Sequence, residues 1–457
     1  MQFPNSGEIM GKAKKNLTAF LVLLLLLLCT SSCNTTEPPD PPNTPQPKTT
    51  LTLKDVSCLQ AWIKLEIENF ELPVNVILLK DSIQVLQINN LTRSDTIVYI
   101  DSLQPNQTYK FQSIIQPINQ SDEVKSNELQ VTTLAPTSQN FTWQVYSWGM
   151  HSSSEIRDIA IIDENNIWCV GEIYMNDSSG NADPIAYNGV QWNGIDWKQK
   201  KISVMYSGSL ITPLLYGVYA FSATEIWFSS GVPIKGDGNN WSQYHLFDMG
   251  VLSQNDGYLT KIWGTSSSDL FYVGTLGTIA HYDGNYWRRV ETGTDINFRD
   301  IYGSINKDNN ELEIIALASN SGINQRKKII RIKDQAVETL PDSGLANYLS
   351  TIWFISGRKY CIGGQGYYES NTFGPVWERD NTIPQFHITS IRGAGLNDIV
   401  LGGSFGLLMH YNGINWMNYA YITASYFDVI SEVAIKGNTI VAAGFKGSKA
   451  VVMIGKR

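Results

Sequence analysis

Histidine and cysteine are scarce, five of each in 457 residues. His151, His245, His281, His387 and His410 stand far apart, and no HExxH, GxSxG, P-loop or EF-hand spacing occurs. The metallopeptidase, serine-hydrolase, phosphate-cradling and calcium-loop chemistries those patterns carry are therefore not indicated. Cys58, Cys169 and Cys361 lie apart in apolar stretches without a CxxC pair. Three cannot all pair, so they read as buried thiols, and no metal or cofactor is expected. Basic runs are missing too. The net charge is −8, and loss of residues 1–32, with three lysines and one glutamate, would leave −10. Phosphate backbones need clustered Lys and Arg, so nucleic acid is not an expected partner. Long amphipathic helical patterns are absent. The apolar run Leu17–Leu28 is about twelve residues, short of the roughly 20 that span a bilayer as a helix.

What is present begins with a targeting segment. Lys12, Lys14 and Lys15 precede that run, and "TSSCNTTEPPDPP" follows it. Ser31 and Ser32 before Cys33 resemble a bacterial lipoprotein box, with Thr30 where Leu is usual. The resemblance implies a signal peptide over 1–32, lipidation of Cys33 and attachment to an outer membrane, facing periplasm or exterior. Asn34 does not resemble the inner-membrane retention signal. Residues 33–48 are proline-rich and read as an extended spacer.

Residues 49–136 alternate with period two. In "WIKLEIE", Ile63, Leu65 and Ile67 share one face, and Lys64, Glu66 and Glu68 the other. "LQPNQTYKF", with Leu103, Pro105 and Tyr109, and the closing "VTT" at 131–133 resemble a fibronectin type III domain, whose tyrosine corner Tyr109 would form. Trp62 departs from that family's usual strand-B position.

From 139 to 457 the chain repeats. "IAHYDGNYW" (279–287) returns as "LMHYNGINW" (408–416). Trp197, Trp241, Trp287 and Trp416 each follow an Asn-Gly or Asp-Gly, a hairpin signal because those residues accept positive φ. The first two gaps are 44 and 46 residues; Trp377 lies 90 after Trp287, and Trp416 lies 39 further on. That period is a propeller blade's length of chain, with each Trp starting an outer strand. A second motif, Ile-aromatic-Gly then Asp-apolar-aromatic-x-x-Gly, supplies the two inner strands; "IWGTSSSDLFYVG" (262–274) is the clearest of seven copies. The seventh copy, 433–444, has no Trp after it, whereas "FTWQVYSW" (141–148) precedes the first copy with no inner strands of its own. The expected fold is all-β: a fibronectin type III sandwich, then a seven-bladed β-propeller closed by pairing 141–148 with the C-terminal blade. Closure removes exposed sheet edges. The repeats resemble a broad group of extracytoplasmic proteins with "IWG…DIW.VG…HYDG..W" blades, which implies a fold and no chemistry.

His281 and His410 share one repeat position, where the first blade has Gln191, and so read as structural. Sialidase propellers repeat Ser-x-Asp-x-Gly-x-x-Trp; here Gly284 directly follows Asp283, so the turn differs. The residue after the motif Ile runs Ala160, Tyr219, Trp263, Tyr302, Trp353, Arg392. It lines a channel mouth suited to stacking on a ligand, or it packs one blade on the next. Two long connections add candidates: 174–189 with Asp177 and Asp183, and 364–377 with Tyr367, Tyr368, Glu369 and Phe373. The leading expectation is a non-catalytic binding module for a glycan or an envelope protein. One alternative is a carbohydrate-active enzyme using Asp177, Asp183 or Glu369 with Arg392; another is a structural assembly hub.

Overall fold

The computed structural model describes residues 46–117, 122–322, 325–333 and 336–457. The leader 1–32, Cys33 and most of the proline-rich stretch lie outside the described residues.

Two antiparallel sheets form the N-terminal part. Lys48–Val56, Ala61–Glu68 and Asp95–Ile100 make one; Val74–Lys80, Ile83–Leu91, Thr108–Pro117, Val124–Lys125 and Leu129–Thr132 make the other. The alternation in "WIKLEIE" is realised: Ile63, Leu65 and Ile67 are buried with Val76, Leu78, Phe111 and Ile115 of the facing sheet, each worth roughly 1.5–3 kcal/mol of burial. Lys64 and Glu66 turn outward and pair. The Tyr109 hydroxyl accepts the Gln104 backbone N–H at 2.8 Å, the bond a tyrosine corner makes.

Seven sheets of three or four strands follow, with a two-stranded hairpin, Val204–Tyr206 and Ser209–Ile211, between the first and the second. Their first strands are Glu155–Asp163, Gly217–Ser222, Leu259–Ser266, Phe298–Ile305, Leu349–Ile355, Ile388–Gly395 and Val429–Lys436. Each packs against the first strand of the next sheet, and the seventh packs against the first. The repeated turn has a local cause. Asn193, Asp237, Asp283 and Asn412 each accept the backbone N–H groups two and three residues on. Only the glycine that follows takes positive φ (93°, 93°, 91° and 97° at Gly194, Gly238, Gly284 and Gly413). The Asn or Asp is thus a side-chain cap rather than a left-handed residue. Trp197, Trp241, Trp287 and Trp416 then begin fourth strands, opposite Trp192, Gly236, Tyr282 and Tyr411.

The seventh sheet contains Val429–Lys436, Thr439–Lys446, Lys449–Lys456 and then Thr142–Trp148. The register runs from Ala450 opposite Trp148 to Lys456 opposite Thr142, with Trp143 opposite Gly455. The N-terminal segment thus supplies the outer strand that the seventh repeat lacks.

The fifth sheet corrects two expectations. It has three strands, Leu349–Ile355, Lys359–Gly364 and Gly366–Ser370. Trp377 is buried but starts no fourth strand; its segment makes only the bridges Tyr368–Arg379 and Ser343–Val376. "FGPVW" has no Asn or Asp to cap the turn, and Pro375 has no N–H for a ladder. Tyr367 and Tyr368 lie in a buried strand, not on a recognition loop.

The sandwich is fastened to the ring. Arg358 is fully buried; its guanidinium grips Asp308 at 2.6 and 2.9 Å, stands 3.3 Å from Asp55 and lies over the Trp62 ring at 5.3 Å. Lys307 also pairs with Asp55, and Asn371 donates to the Tyr99 hydroxyl. Cys58 sits in a bend against Gly413, where a Cβ would fall 2.4 Å from its sulfur. Trp62, misplaced for a sandwich core, is an interface residue. The ring residues involved sit in or beside turns that join first to second or third to fourth strands. The sandwich therefore occupies that face, and the opposite face carries the longer loops.

Candidate functional site

The Ile-aromatic-Gly motif is explained at the ring's centre. The Trp263 ring lies where a Cβ on Gly303 of the next sheet would stand, 2.3 Å from the ring; Trp353 lies likewise over Gly393, 2.5 Å. The Trp353 indole N–H donates to the Gly393 carbonyl at 3.1 Å, and the Tyr219 hydroxyl donates to that of Gly264 at 3.1 Å. The glycine two places after the Ile is bare so that the previous sheet's ring can cover it. Gly393→Ala is therefore expected to cost about 1–3 kcal/mol through overpacking, read as a lower midpoint in urea. An unchanged midpoint would mean that Trp353 moves aside freely.

The residue before the motif Ile carries the charge. A strand's two-residue period puts it on the same side as the aromatic. Around the ring it is Asp158, Gly217, Lys261, Asp300, Thr351, Ser390 and Glu432. In all but the Gly217 sheet a register shift falls there, the local kink that re-aims a side chain. Several of these side chains lace one sheet to the next. Asp158 accepts the Val218 N–H (3.1 Å), Asp300 that of Ile352 (3.0 Å), Thr351 that of Ile391 (3.0 Å) and Ser390 that of Val433 (3.2 Å). Lys261 bridges Asp158 (3.2 Å) and Glu432 (2.5 Å); Arg392 bridges Asp300 (2.9 Å) and Glu432 (3.3 Å). Ser390 also donates to Glu432. Burial pushes Asp158 up to about 6, partly offset by Lys261. Burial also opposes ionisation of Glu432, but Arg392 and Lys261 outweigh it and hold that carboxyl below its ordinary range.

A cavity of about 250 Å³ stands on this layer, lined among others by Asp158, Lys261, Arg392, Tyr219, Trp263 and Tyr302. Five of the six ring residues singled out from sequence, Ala160, Tyr219, Trp263, Tyr302 and Arg392, thus share one space. Trp353 does not; it is 1% exposed and committed to packing. The sequence reading missed the charged layer, although a polar residue or glycine precedes the Ile in every copy.

The other candidates lie elsewhere. The Asp177 carboxylate caps its own turn through the Ser179 and Asn181 N–H groups, and Asp183 pairs with Lys201 at 2.6 Å. Glu369 is held by Lys359 and by the Tyr367 hydroxyl, and the Tyr368 hydroxyl accepts the Ala346 N–H. None of these lines the axial cavity, and Arg392 is committed to Asp300 and Glu432. His281 bonds Asp269 (2.8 Å) and His410 bonds Asp398 (2.7 Å). The same cross-strand position holds Gln191 with Asn166, Arg331 with Glu313 and, with charges reversed, Glu369 with Lys359. A polar pair is the common element there, and the histidines are two versions of it. Among the described residues no group of three His, Cys, Asp or Glu is placed to hold a metal ion.

A comparison with known protein families finds no match, and neither does one with curated proteins. Solved structures do match. The chain is similar to YCF48 bound to D1 peptide, with a TM-score of 0.51 and 15% identity over 70% of this chain and 99% of that one. It also matches the extracellular domain of a hybrid two component system from B. thetaiotaomicron (TM-score 0.32, 11% identity, 89% of this chain, 61% of that one). A third match is the tricorn protease (TM-score 0.38, 8% identity, 87% of this chain, 46% of that one). The fold is all-β and β-propeller-like.

Proposed function

We propose that this protein is a non-catalytic binding module of the bacterial envelope. In this reading a closed seven-bladed β-propeller stands on a fibronectin type III spacer, lipid-anchored through Cys33, and recognises a protein partner rather than a glycan. One observation carries the choice of partner. On the face away from the sandwich, Phe405 and Leu276 occupy the same place in two tight turns, "GSFG" and "GTLG", at φ of 59° and 53°. They are 68% and 52% exposed. A bulky side chain in the left-handed region is strained by about 1–3 kcal/mol, and exposing it gains no burial. Such strain clusters at functional surfaces.

Phe405 pairs with Phe386, ring centroids 5.2 Å apart. Tyr421, in the short helix Ala420–Thr423, and Tyr426, just after it, are exposed, and the helix end packs on Gly406. Glycan recognition needs polar groups beside its stacking rings, and a phenylalanine pair brings none; an apolar side chain of a protein suits it better. The similar YCF48 structure was solved with a peptide, which agrees with a protein partner. The sandwich's first strand, Lys48–Val56, runs toward the ring, reaching it at Asp55. At about 3.3 Å per residue, the chain enters the sandwich roughly 25 Å from the ring, so an anchor at Cys33 would leave the Phe405 face outermost.

The test is capture from envelope extract by the wild-type chain, by Phe386→Ser/Phe405→Ser, and by Ile195→Ser on the sandwich face as control. A protein retained by wild type and control but lost from the double variant supports the reading. Binding to a glycan array with unchanged capture by the double variant would overturn it. Fatty-acid labelling abolished by Cys33→Ala checks the anchor.

A further inference from the structure

The axial cluster is not charge-balanced. Asp158, Asp300 and Glu432 face Lys261 and Arg392, so three carboxylates share two cations. The other nearby arginines do not correct this: Arg157 pairs with Glu155, and Arg299 lies over the Tyr348 ring and bonds the Ser319 carbonyl. The unmatched charge falls on Asp158, because Lys261 sits 2.5 Å from Glu432 but 3.2 Å from Asp158. Asp158 is also the one carboxylate of the three that lines the cavity, where Lys261 and Arg392, each already bound to Glu432, line it too.

The cavity's shape completes the argument. At the position after the motif Ile, four sheets carry an aromatic ring and one carries Arg392, but the first and seventh carry Ala160 and Ala434. Those alanines leave the space, on the side of the ring that holds Asp158. Across it stand Tyr219, Trp263 and Tyr302, the last two with ring centroids 6.5 Å apart and tilted by 52°. Aromatic faces attract cations. From the charged layer the space runs past the alanines to Ile161, Ala220 and Ile435, toward the turns that join first and second strands. Its volume of about 250 Å³ is room for a slim chain end and too little for a folded domain.

We propose that the axial cavity binds a cationic group, a primary ammonium on a slim alkyl chain such as a lysine side chain or a polyamine end, with Asp158 as counter-charge and the three rings as wall. This site is separate from the Phe386–Phe405 face, and neither proposal depends on the other.

The test titrates the chain from residue 34 with n-butylammonium, n-butyrate and n-butanol at fixed ionic strength, read by calorimetry and saturation-transfer NMR. Butylammonium is expected to saturate in the low-millimolar range or tighter, with no saturable signal from the other two. Asp158→Asn and Ala434→Leu, the latter filling the space without touching a charge, should each weaken it about tenfold or more. If Asp158→Asn does not fold, Ala434→Leu alone decides. Equal binding of butyrate, no saturation by about 50 mM, or affinity unchanged in Ala434→Leu would overturn the proposal.

Discussion

A chain beginning at residue 149 is expected to lose the cooperative unfolding transition that a chain beginning at residue 139 retains. Both lack the sandwich, so they differ by the strand Thr142–Trp148 and the few residues before it. That strand pairs with Lys449–Lys456 over seven residue pairs. Without it the third strand of the seventh sheet becomes an open edge whose N–H and C=O groups, now paired, face water. The side chains matter as much. Tyr146 and Trp148 pack on Trp192 and Trp197 of the first sheet, and Trp143 packs on Tyr419. The strand therefore joins both sides of the seam. At about 1.5–3 kcal/mol for each large apolar side chain when fully buried, three partly buried ones amount to at most roughly 4.5–9 kcal/mol, comparable to a domain's whole stability. The terminal Arg457 adds a clasp to Asp398 at 2.7 Å. Differential scanning calorimetry decides it: the two chains unfolding within about 3 °C of each other would show that the seam contributes little.

Much of this was legible because it rests on local chemistry. The Asn or Asp cap with a following glycine is a four-residue device, readable wherever Asn193, Asp237, Asp283 and Asn412 occur. The Trp after it sits at a fixed register, so spacing alone exposed the seam at Trp143. Counting misled where chemistry and spacing diverged. Trp377 keeps the beat, yet it lacks the cap and follows Pro375, so no fourth strand forms. Trp62 looked like an anomaly of the sandwich because its partner, Arg358, is nearly three hundred residues away. The charged layer was hidden for a related reason. One Asp or Lys beside an Ile is ordinary strand alternation; only the meeting of all seven first strands turns Asp158, Lys261, Asp300, Arg392 and Glu432 into one network. Attention to the residue after the Ile found the packing aromatics and Arg392, and passed over the neighbours that lace the sheets together.

Arg392→Ala should be the most damaging single substitution in that network, and its cost should depend on pH. Asp300 and Glu432 are 2% and 3% exposed, and Arg392 touches both. Removing one partner of a buried ion pair typically costs about 3–5 kcal/mol, because the remaining charge is stranded. In the native protein Glu432 is held low by Arg392 and then Lys261 against its burial. A depressed carboxyl adds stability above its unfolded value, roughly 4, and that stability is lost on acidification. In Arg392→Ala the larger attraction is gone and burial raises the group, so the folded state then binds its proton more tightly than the unfolded state does. Its contribution changes sign, and stability falls as pH rises from about 4. The difference between wild type and variant should accordingly be largest near pH 8 and shrink toward pH 5, measured as urea midpoints across that range. Arg392→Lys, which keeps the charge but not the fork reaching two carboxylates, should fall between them. A cost that is the same at pH 5 and pH 8 would mean that the arginine acts through packing alone, and that Glu432 is not held ionised by its cations.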